Sequence, residues 1–416
     1  MASQTENFAL IRVVGVGGAG SNAVNRMIRA ELLGVEFIAV NTDAQALVKS
    51  HAPTRIRIGD AISRGLGAGG DSAVGERAAH EDLENLRKAL EGSDLVFVTA
   101  GMGGGTGSGA APVVAKVAKD LGALTIGIVT KPFEFEGRRR AAVAHAAAEE
   151  LRKYVDTLIV IPNERLLNVV SRQTSMEDSF RIADDVLRQA VQGVSDVITV
   201  PGIINLDFAD VRSIMKEAGS ALMGIGRASG ENRARAAAEL AIQSPLLELD
   251  IQGATGVLVN VAASSTVTLH EVNEAINHIT ERADPEANII FGTSLDETLA
   301  DEVQITVIAT GFAGNARSQS SAAAKQRSEF PYGGADDVDP RWNPTKENVA
   351  PSRSASPESG AAQVVPPSAT PTWTPVTHPG VPQPSGDAAQ GVDAGVAPAP
   401  VPSDELEIPA FLRRRS

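Results

Sequence analysis

The chain has 416 residues, enough for two ordinary domains and an additional segment. Its formal net charge of -14 argues against a nucleic-acid-binding protein, which would carry a basic patch or stripe. The absence of cysteine excludes thiol nucleophiles, disulfides and cysteine zinc sites, and the six scattered histidines lack the spacing of a zinc enzyme. No run reaches the roughly 18 apolar residues of a membrane span. The start "MASQTENFALIRVV" lacks a signal-peptide pattern, so we expect a soluble, cytoplasmic protein without direct membrane insertion.

Short β-rich runs alternate with amphipathic stretches through the first part of the chain. These runs are "ALIRVVGV", "EFIAVNTD", "DLVFVTAG", "ALTIGIVT" and "DTLIVIPN". Strands that alternate with helical patterns are typical of a parallel sheet covered by helices. The sequence therefore predicts an α/β domain over residues 1–176.

A long helix and a second unit are predicted to follow this domain. The stretch "EDSFRIADDVLRQAVQGV" carries apolar residues at three- and four-residue steps, which predicts a central helix within residues 177–200. Helices near Asp207–Ala218, Glu231–Ile242 and Leu269–Arg282, with the strands "TGVLVNVAA", "ANIIFGTS" and "VQITVIATG", predict a smaller mixed α/β domain over residues 201–314.

The last hundred residues change in composition twice. Residues 315–403 are rich in Pro, Ala, Ser and Gly, which predicts a disordered linker because such a segment buries too little apolar surface to offset its ordering entropy. Residues 404–416, "DELEIPAFLRRRS", combine acids, an apolar patch and three arginines. We expect Ile408, Pro409, Phe411 and Leu412 to order in the groove of a partner protein. The alternative is a frayed terminus whose arginines only aid solubility.

The first of three glycine runs follows the first predicted strand. In "GVGGAG" the glycines Gly15, Gly17 and Gly20 match G-x-G-x-x-G, and Asp43 lies at the end of the next strand. Taken alone, this pattern predicts a dinucleotide-binding oxidoreductase, which we keep as the alternative function.

Two further glycine runs argue for a different ligand. They are "GLGAGG" from Gly65 to Gly70 and "GMGGGTGSG" from Gly101 to Gly109. Glycine loops that lead into helices present free amide groups to anions, so three of them predict a di- or triphosphate site. No G-x-x-x-x-G-K-[ST] occurs, so the backbone amides would hold the phosphates, with Thr106 and Ser108 as hydroxyl donors. A tight turn with close helix packing is the alternative for any single glycine.

The run "GGGTGSG" resembles the signature loop of the tubulin superfamily, and the chain as a whole resembles the bacterial cell-division GTPases of the FtsZ family. The resemblance also rests on "VGVGGAGSNAVNRM", "NTDAQAL", "RGLGAGG", "PFEFEGRRR", "NLDFADVRSIM" and "DELEIPAFLRRR". It implies a Rossmann-like parallel-sheet GTPase domain, a long central helix and a smaller C-terminal domain. It also implies a cytoskeletal protein that binds GTP or GDP, hydrolyses GTP and polymerises head-to-tail into filaments of the mid-cell division ring.

The same resemblance implies roles for individual residues. The implied GTP-binding residues are Gly18, Ala19, Gly20, Ser21, Asn22, Ala68, Gly69, Gly70, Gly104, Gly105, Thr106, Gly107, Glu136, Arg140, Phe180 and Asp184. Among these, Phe180 would stack on guanine and Asp184 would accept from its N–H groups. Without the resemblance, Phe180 would be assigned to the core and Asp184 to the surface.

The hydrolytic groups are implied to come from a neighbouring molecule. Asp207 and Asp210 of "NLDFADVRSIM" would complete the active site of the next subunit, with Asn205 near the phosphates. Considered alone, Asp207 and Asp210 are a helix N-cap and a first-turn acid. Mg²⁺ would be held mostly by phosphate oxygens and water, without a dedicated protein site. The C-terminal peptide would bind membrane-tethering adaptors of the division ring.

Overall fold

The computed structural model describes residues 9–167, 171, 173–247 and 251–312. The predicted linker (315–403) and C-terminal peptide (404–416) lie outside the described residues, and so do the expectations for the peptide's apolar side chains. Among the described residues, no helix combines the length and the apolar character needed to cross a membrane.

One sheet of ten strands runs through the described part of the chain. In chain order the strands are β1 (Ile11–Val16), β2 (Val35–Asn41), β3 (Thr54–Arg57), β4 (Leu95–Gly101), β5 (Leu124–Lys131), β6 (Thr157–Pro162), β7 (Gly219–Ser229), β8 (Gly256–Ala263), β9 (Asn288–Leu295) and β10 (Glu302–Thr310). In space their order is β3-β2-β1-β4-β5-β6-β7-β10-β8-β9. All pairs from β3 to β7 are parallel, whereas β10 is antiparallel to both β7 and β8. The predicted parallel sheet of the first part of the chain is therefore confirmed.

Helices cover both faces of this sheet. In chain order they are α1 (Gly17–Arg29), α2 (Ala44–Val48), α3 (Asp60–Ser63), α4 (Ser72–Glu81), α5 (Leu83–Leu90), α6 (Thr106–Asp120), α7 (Arg138–Arg152), α8 (Asn163–Leu166), α9 (Met176–Thr199), α10 (Phe208–Met215), α11 (Arg233–Ile242) and α12 (Leu269–Thr280). Successive residues of a strand point to opposite faces, so Phe97 of β4 packs in the cluster with α1 and α9, and Val96 and Val98 pack in the cluster with α4 to α7. Because both faces are covered, β4 and β5 are almost continuously apolar.

The strand β7 was not among the predicted strands. Its sequence "GSALMGIGRAS" contains three glycines, which disfavour a strand by propensity. The packing of α11 explains two of them. A Cβ at Gly224 or Gly226 would lie 2.0 Å from a carbonyl oxygen of Ala241 or Ala237, respectively. The glycines thus let α11 approach the backbone of the strand that joins the parallel and antiparallel parts of the sheet.

The central helix α9 spans Met176–Thr199 and runs from the carboxyl-end side to the amino-end side of the parallel strands. Ser175 caps its first turn by accepting from the backbone N–H of Asp178, and buried residues continue as far as Val197. At its far end, a Cβ on Gly34, just before β2, would lie 2.6 Å from Cβ of Thr199. With a rise of 1.5 Å per residue, its 24 residues span about 36 Å.

Candidate functional site

The three glycine loops meet on the side of the sheet where the parallel strands have their carboxyl ends. The strands β1 and β4 are parallel neighbours, so the loops that follow them start side by side. A Cβ on Gly17, where φ is +73°, would lie 2.8 Å from the backbone nitrogen of Gly107, and a Cβ on Gly105 would lie 2.7 Å from Cβ of Ala68. Each loop thus contacts another, as expected for one shared site.

Two helices begin at this edge without a capping side chain. The N-cap residues of α1 and α6 are Val16 and Gly105, and neither makes a side-chain cap hydrogen bond to the described residues. The first turns of both helices therefore direct free backbone N–H groups, and the positive ends of two helix dipoles, toward the same region. This arrangement favours a bound anion.

The glycines of the loops fall into two groups by their surroundings. A Cβ on Gly20 would lie 2.4 Å from the carbonyl oxygen of Thr99, so this position serves packing, as do Gly105 and Gly107. In contrast, a Cβ would meet no heavy atom of the described residues within 4 Å at Gly18, Gly69, Gly70 or Gly104. These four predicted phosphate contacts border open space, which leaves room for a ligand to approach the backbone.

Hydroxyl groups brace the third loop. Ser108 Oγ accepts a hydrogen bond from the backbone N–H of Gly103 at 2.8 Å, so this hydroxyl supports the loop from inside. The hydroxyl of Thr106 lies 2.6 Å from that of Thr42, and both side chains are buried. In the first loop, Ala19 lies under Gly101, Ser21 is buried and Asn22 is exposed.

Glu136 and Arg140 form an ion pair beside the third loop. Arg140 Nη1 lies 2.5 Å from Glu136 Oε2, and the other oxygen of Glu136 accepts from the backbone N–H of Phe133. A Cβ on Gly103 would lie 2.8 Å from the carbonyl oxygen of Arg140, which places the start of α7 against the loop. The Arg140 side chain is half exposed, so its guanidinium has donors free for an incoming anion.

An aromatic cluster lies at the start of α9. Phe180 packs edge-on against Phe133, with ring centroids 5.4 Å apart, and against Phe135 at 6.5 Å. The rings of Phe133 and Phe135 are stacked at 5.1 Å. Phe133 is buried, whereas Phe180 and Phe135 are partly exposed, so the cluster offers a supported aromatic surface to a planar ligand.

Asp184 lies one turn beyond Phe180 in a desolvated position. Burial raises the pKa of its carboxyl group to about 6, although Arg26 of α1 opposes this shift by charge and by hydrogen bonding. Arg26 Nε lies 3.4 Å from Asp184 Oδ2, a long contact for an ion pair. A buried carboxylate with a perturbed pKa beside an aromatic surface is typical of a binding site.

Two sequence families match most of the described chain. The GTPase domain of the Tubulin/FtsZ family matches residues 10–171, and the C-terminal domain of the FtsZ family matches residues 219–313. The solved structure of an empty FtsZ dimer from M. jannaschii is similar to this chain with 45% identity and a TM-score of 0.72, covering 74% of this chain and 89% of that one. The chain belongs to the FtsZ family. A single-residue variant of the M. jannaschii protein gives the same identity and TM-score, with 92% of that chain covered.

The FtsZ fold is shared by more distant proteins. CetZ1 from Haloferax volcanii, solved as a GDP-bound monomer, is 21% identical with a TM-score of 0.64, covering 77% of this chain and all of that one. The alternative of a dinucleotide oxidoreductase is not supported. Asp43, which that alternative would assign to a ribose, instead caps α2 by accepting from the backbone N–H groups of Gln45 and Ala46.

The segment with Asn205, Asp207 and Asp210 lies at the opposite end of the parallel strands from the glycine loops. Asp207 caps α10, accepting from the backbone N–H of Asp210 at 2.8 Å, and Asn205 Oδ1 accepts from that of Gly202. Thr157, the first residue of β6, donates to the carbonyl oxygen of Met215 at the end of α10. The glycine loops follow the carboxyl ends of the parallel strands, whereas α10 lies at their amino ends. The structure therefore brings the predicted nucleotide residues together but does not bring the two acids to them.

Sequence reasoning did not single out three residues near the site. Phe133 and Phe135 support Phe180, and their spacing within "KPFEFEG" is the available signal. Asn163 follows β6 at the edge of the glycine loops, and its Oδ1 is buried without a hydrogen-bond partner among the described residues. An orphaned buried acceptor at the edge of a site marks a position that a ligand can satisfy.

Proposed function

We propose that this chain binds and hydrolyses GTP and assembles head-to-tail into filaments. The observation that carries the proposal is the pair of uncapped helices, α1 and α6, that begin side by side among glycine loops bordering open space. Backbone amides and two helix dipoles supply the positive field that a triphosphate needs without a P-loop lysine.

The residues around these helices divide between the phosphates and the base. Gly18, Ala19, Gly20, Ser21, Asn22, Ala68, Gly69, Gly70, Gly104, Gly105, Thr106 and Gly107 would surround the phosphates, with Glu136 and Arg140 on the ribose side. Guanine would stack on Phe180, and the carboxylate of Asp184 would accept from its N1–H and amino group. Adenine presents no such pair of donors, so this contact selects guanine.

The catalytic acids would come from a second copy of the chain. The segment with Asn205, Asp207 and Asp210 leads into α10 at the amino ends of the parallel strands, whereas the glycine loops follow their carboxyl ends. A head-to-tail contact would therefore be needed to bring the acids to a nucleotide. Two similar structures support such assembly: the M. jannaschii FtsZ was solved as a dimer and CetZ2 from Haloferax volcanii as a protofilament with bound GTPγS.

Magnesium fits this site as a partner of the nucleotide. The described residues contain no group of three His, Asp or Glu side chains that could hold an ion by themselves. Phosphate oxygens and water would therefore supply most of its ligands, and the ion would neutralise charge on the phosphates. The chain's own part is to fix the phosphates through the backbone of the glycine loops.

In the cell, the filaments would form the cytoplasmic division ring at mid-cell. The peptide with Ile408, Pro409, Phe411 and Leu412 would bind membrane-tethering adaptor proteins, while residues 315–403 would set the spacing between filament and membrane. Full-length and peptide-deleted chains should form the same filaments, and only the full-length chain should bind the adaptors.

The decisive experiment measures phosphate release from GTP with Mg²⁺ across a series of protein concentrations. Light scattering is recorded in the same samples. We expect both signals to vanish below one threshold concentration, because the site is completed between subunits. Constant specific activity without scattering would refute the role of the neighbouring copy.

A pair of variants separates catalysis from folding. Asp210→Ala should bind GTP and scatter light but release phosphate poorly, because it removes an acid whose side chain does not cap the helix. Asp207→Ser retains a side chain that can cap α10, so its stability should match wild type while hydrolysis falls. Rapid turnover by Asp210→Ala would remove this acid from the mechanism.

A further inference from the structure

The buried hydroxyl pair of Thr42 and Thr106 joins two separate parts of the site. Thr42 follows β2, and Thr106 is the first residue of α6 in the third glycine loop. Their oxygens are 2.6 Å apart, which is a good hydrogen bond between residues 64 positions apart in the chain. Thr42 is fully buried and Thr106 is 8% exposed.

Thr42 is itself held in place by the start of the second glycine loop. Its carbonyl oxygen accepts from the backbone N–H of Gly67 at 3.2 Å. The hydroxyl of Ser63 lies within hydrogen-bond distance of the same oxygen, at 3.2 Å, and of the carbonyl oxygen of Gly59, at 3.0 Å, and shares its one proton between them. The next residues pair with the same loop, since the backbone N–H of Ala44 donates to the carbonyl oxygen of Gly65. The backbone of Thr42 is thus held by the second glycine loop, and its side-chain hydroxyl contacts Thr106 in the third loop.

The direction of the hydroxyl bond follows from the chemistry of a phosphate. Each hydroxyl has one proton, and the oxygens of an ionised phosphate are mainly acceptors. When Thr106 donates its proton to a phosphate oxygen, the bond of 2.6 Å can persist only if Thr42 is the donor. The Thr42 hydroxyl therefore leaves the Thr106 proton for the ligand and keeps its oxygen satisfied.

We propose that Thr42 is a positioning residue for nucleotide binding, acting through the hydroxyl of Thr106. This inference rests on the proposed function. Thr42 need not touch the nucleotide. It fixes the side chain of Thr106 and the direction of its proton, which lowers the cost of ordering that side chain when a phosphate binds.

The test compares GTP affinities of full-length variants below the assembly threshold, by titration with a fluorescent GTP analogue. Thr42→Val preserves shape and removes the hydroxyl, and we expect about a tenfold loss of affinity. Thr42→Ser keeps the donor and should stay within about threefold of wild type. Thr106→Val should lose at least as much as Thr42→Val, and the double variant should lose little more than Thr106→Val alone, because Thr42 acts through Thr106.

A matched control removes a buried hydroxyl that makes no bond. Thr99 of β4 is fully buried, and its hydroxyl has no partner within the part of the chain that the structure describes. Thr99→Val should therefore bind the analogue like wild type. Additive losses in the double variant, or an equal loss in Thr99→Val, would overturn the proposal. A wild-type chain that binds no GTP would instead refute the proposed function.

Discussion

Replacing Asp184 by asparagine should make the nucleotide-free protein more stable at neutral pH. The carboxyl group has a pKa of about 6 in the folded chain, compared with 3.8 for an unperturbed group, because burial penalises its charged form. At pH 7.5 the folded protein therefore carries a desolvated charge that Arg26, at 3.4 Å, only partly offsets. An asparagine removes that charge and nearly preserves the shape of the side chain.

The free-energy penalty of the charged Asp184 in the folded protein follows from the difference between the two pKa values, which corresponds to about 3 kcal/mol. Between pH 3.8 and 6 the folded chain keeps the Asp184 proton while the unfolded chain has lost it. The contribution of Asp184 to the free energy of unfolding therefore decreases as pH rises through that window and stays unfavourable above pH 6. Because the amide remains buried and Arg26 loses its partner, we expect a net gain of about 1–2 kcal/mol at pH 7.5.

The assay is urea unfolding of nucleotide-free wild type and Asp184→Asn at pH 7.5 and pH 5. The gain should shrink toward zero at pH 5, where the wild-type carboxyl group is largely protonated. Asp185→Asn is the matched control, because Asp185 is 41% exposed and pairs with the part-buried Arg188, so losing this charge should destabilise the protein by up to about 1 kcal/mol. Destabilisation at pH 7.5, or an equal gain at both pH values, would refute the reasoning.

Other substitutions test the loops and the C-terminal part of the chain. Gly20→Ala should destabilise the protein by about 2 kcal/mol or more because its Cβ meets a carbonyl oxygen at 2.4 Å, whereas Gly18→Ala should unfold at the wild-type temperature yet bind GTP more weakly. Arg233→Ala should cost about 3 kcal/mol in urea unfolding, because the buried guanidinium pairs with Glu271 and bonds two carbonyl oxygens. The exposed Arg235→Ala should cost less than about 1 kcal/mol. Equal destabilisation by Gly20→Ala and Gly18→Ala would contradict the packing role of Gly20. Equal destabilisation by Arg233→Ala and Arg235→Ala would contradict the stabilising role of the buried ion pair.

The sequence was sufficient to predict most of the sheet because its strands are apolar on both faces. The strands β1, β2, β4, β5 and β6 combine β-rich runs with glycine or polar boundaries, which local pattern detects. The sequence pattern does not predict the strand β7, because two of its glycines are required by the close approach of α11. A tertiary contact of this kind leaves no local pattern in the sequence.

For the site as well, the sequence reveals local motifs but not the contacts between residues that are far apart in the chain. The glycine runs are visible in the residue pattern, Phe180 is singled out only by the family resemblance, and the structure shows the loops in contact. The partners of these residues were not visible, because Phe133 and Thr42 lie 47 and 64 positions from the residues they support. Local propensity explains the capping role of Asp207, whereas its distance from the glycine loops depends on the path of α9.

The glycine loops and the acids lie at opposite ends of the parallel strands, and this separation has a consequence for the two ends of any filament built by the proposed contact. Each working site takes its glycine loops from one copy and its acids from the next, so a row of n copies holds n−1 complete sites. One terminal copy presents a nucleotide that no acid reaches, and the other presents acids with no nucleotide. The two ends are therefore chemically different although every copy is identical. Subunits would join and leave them at different rates, so the filament acquires a direction from the separation of two loops within one chain.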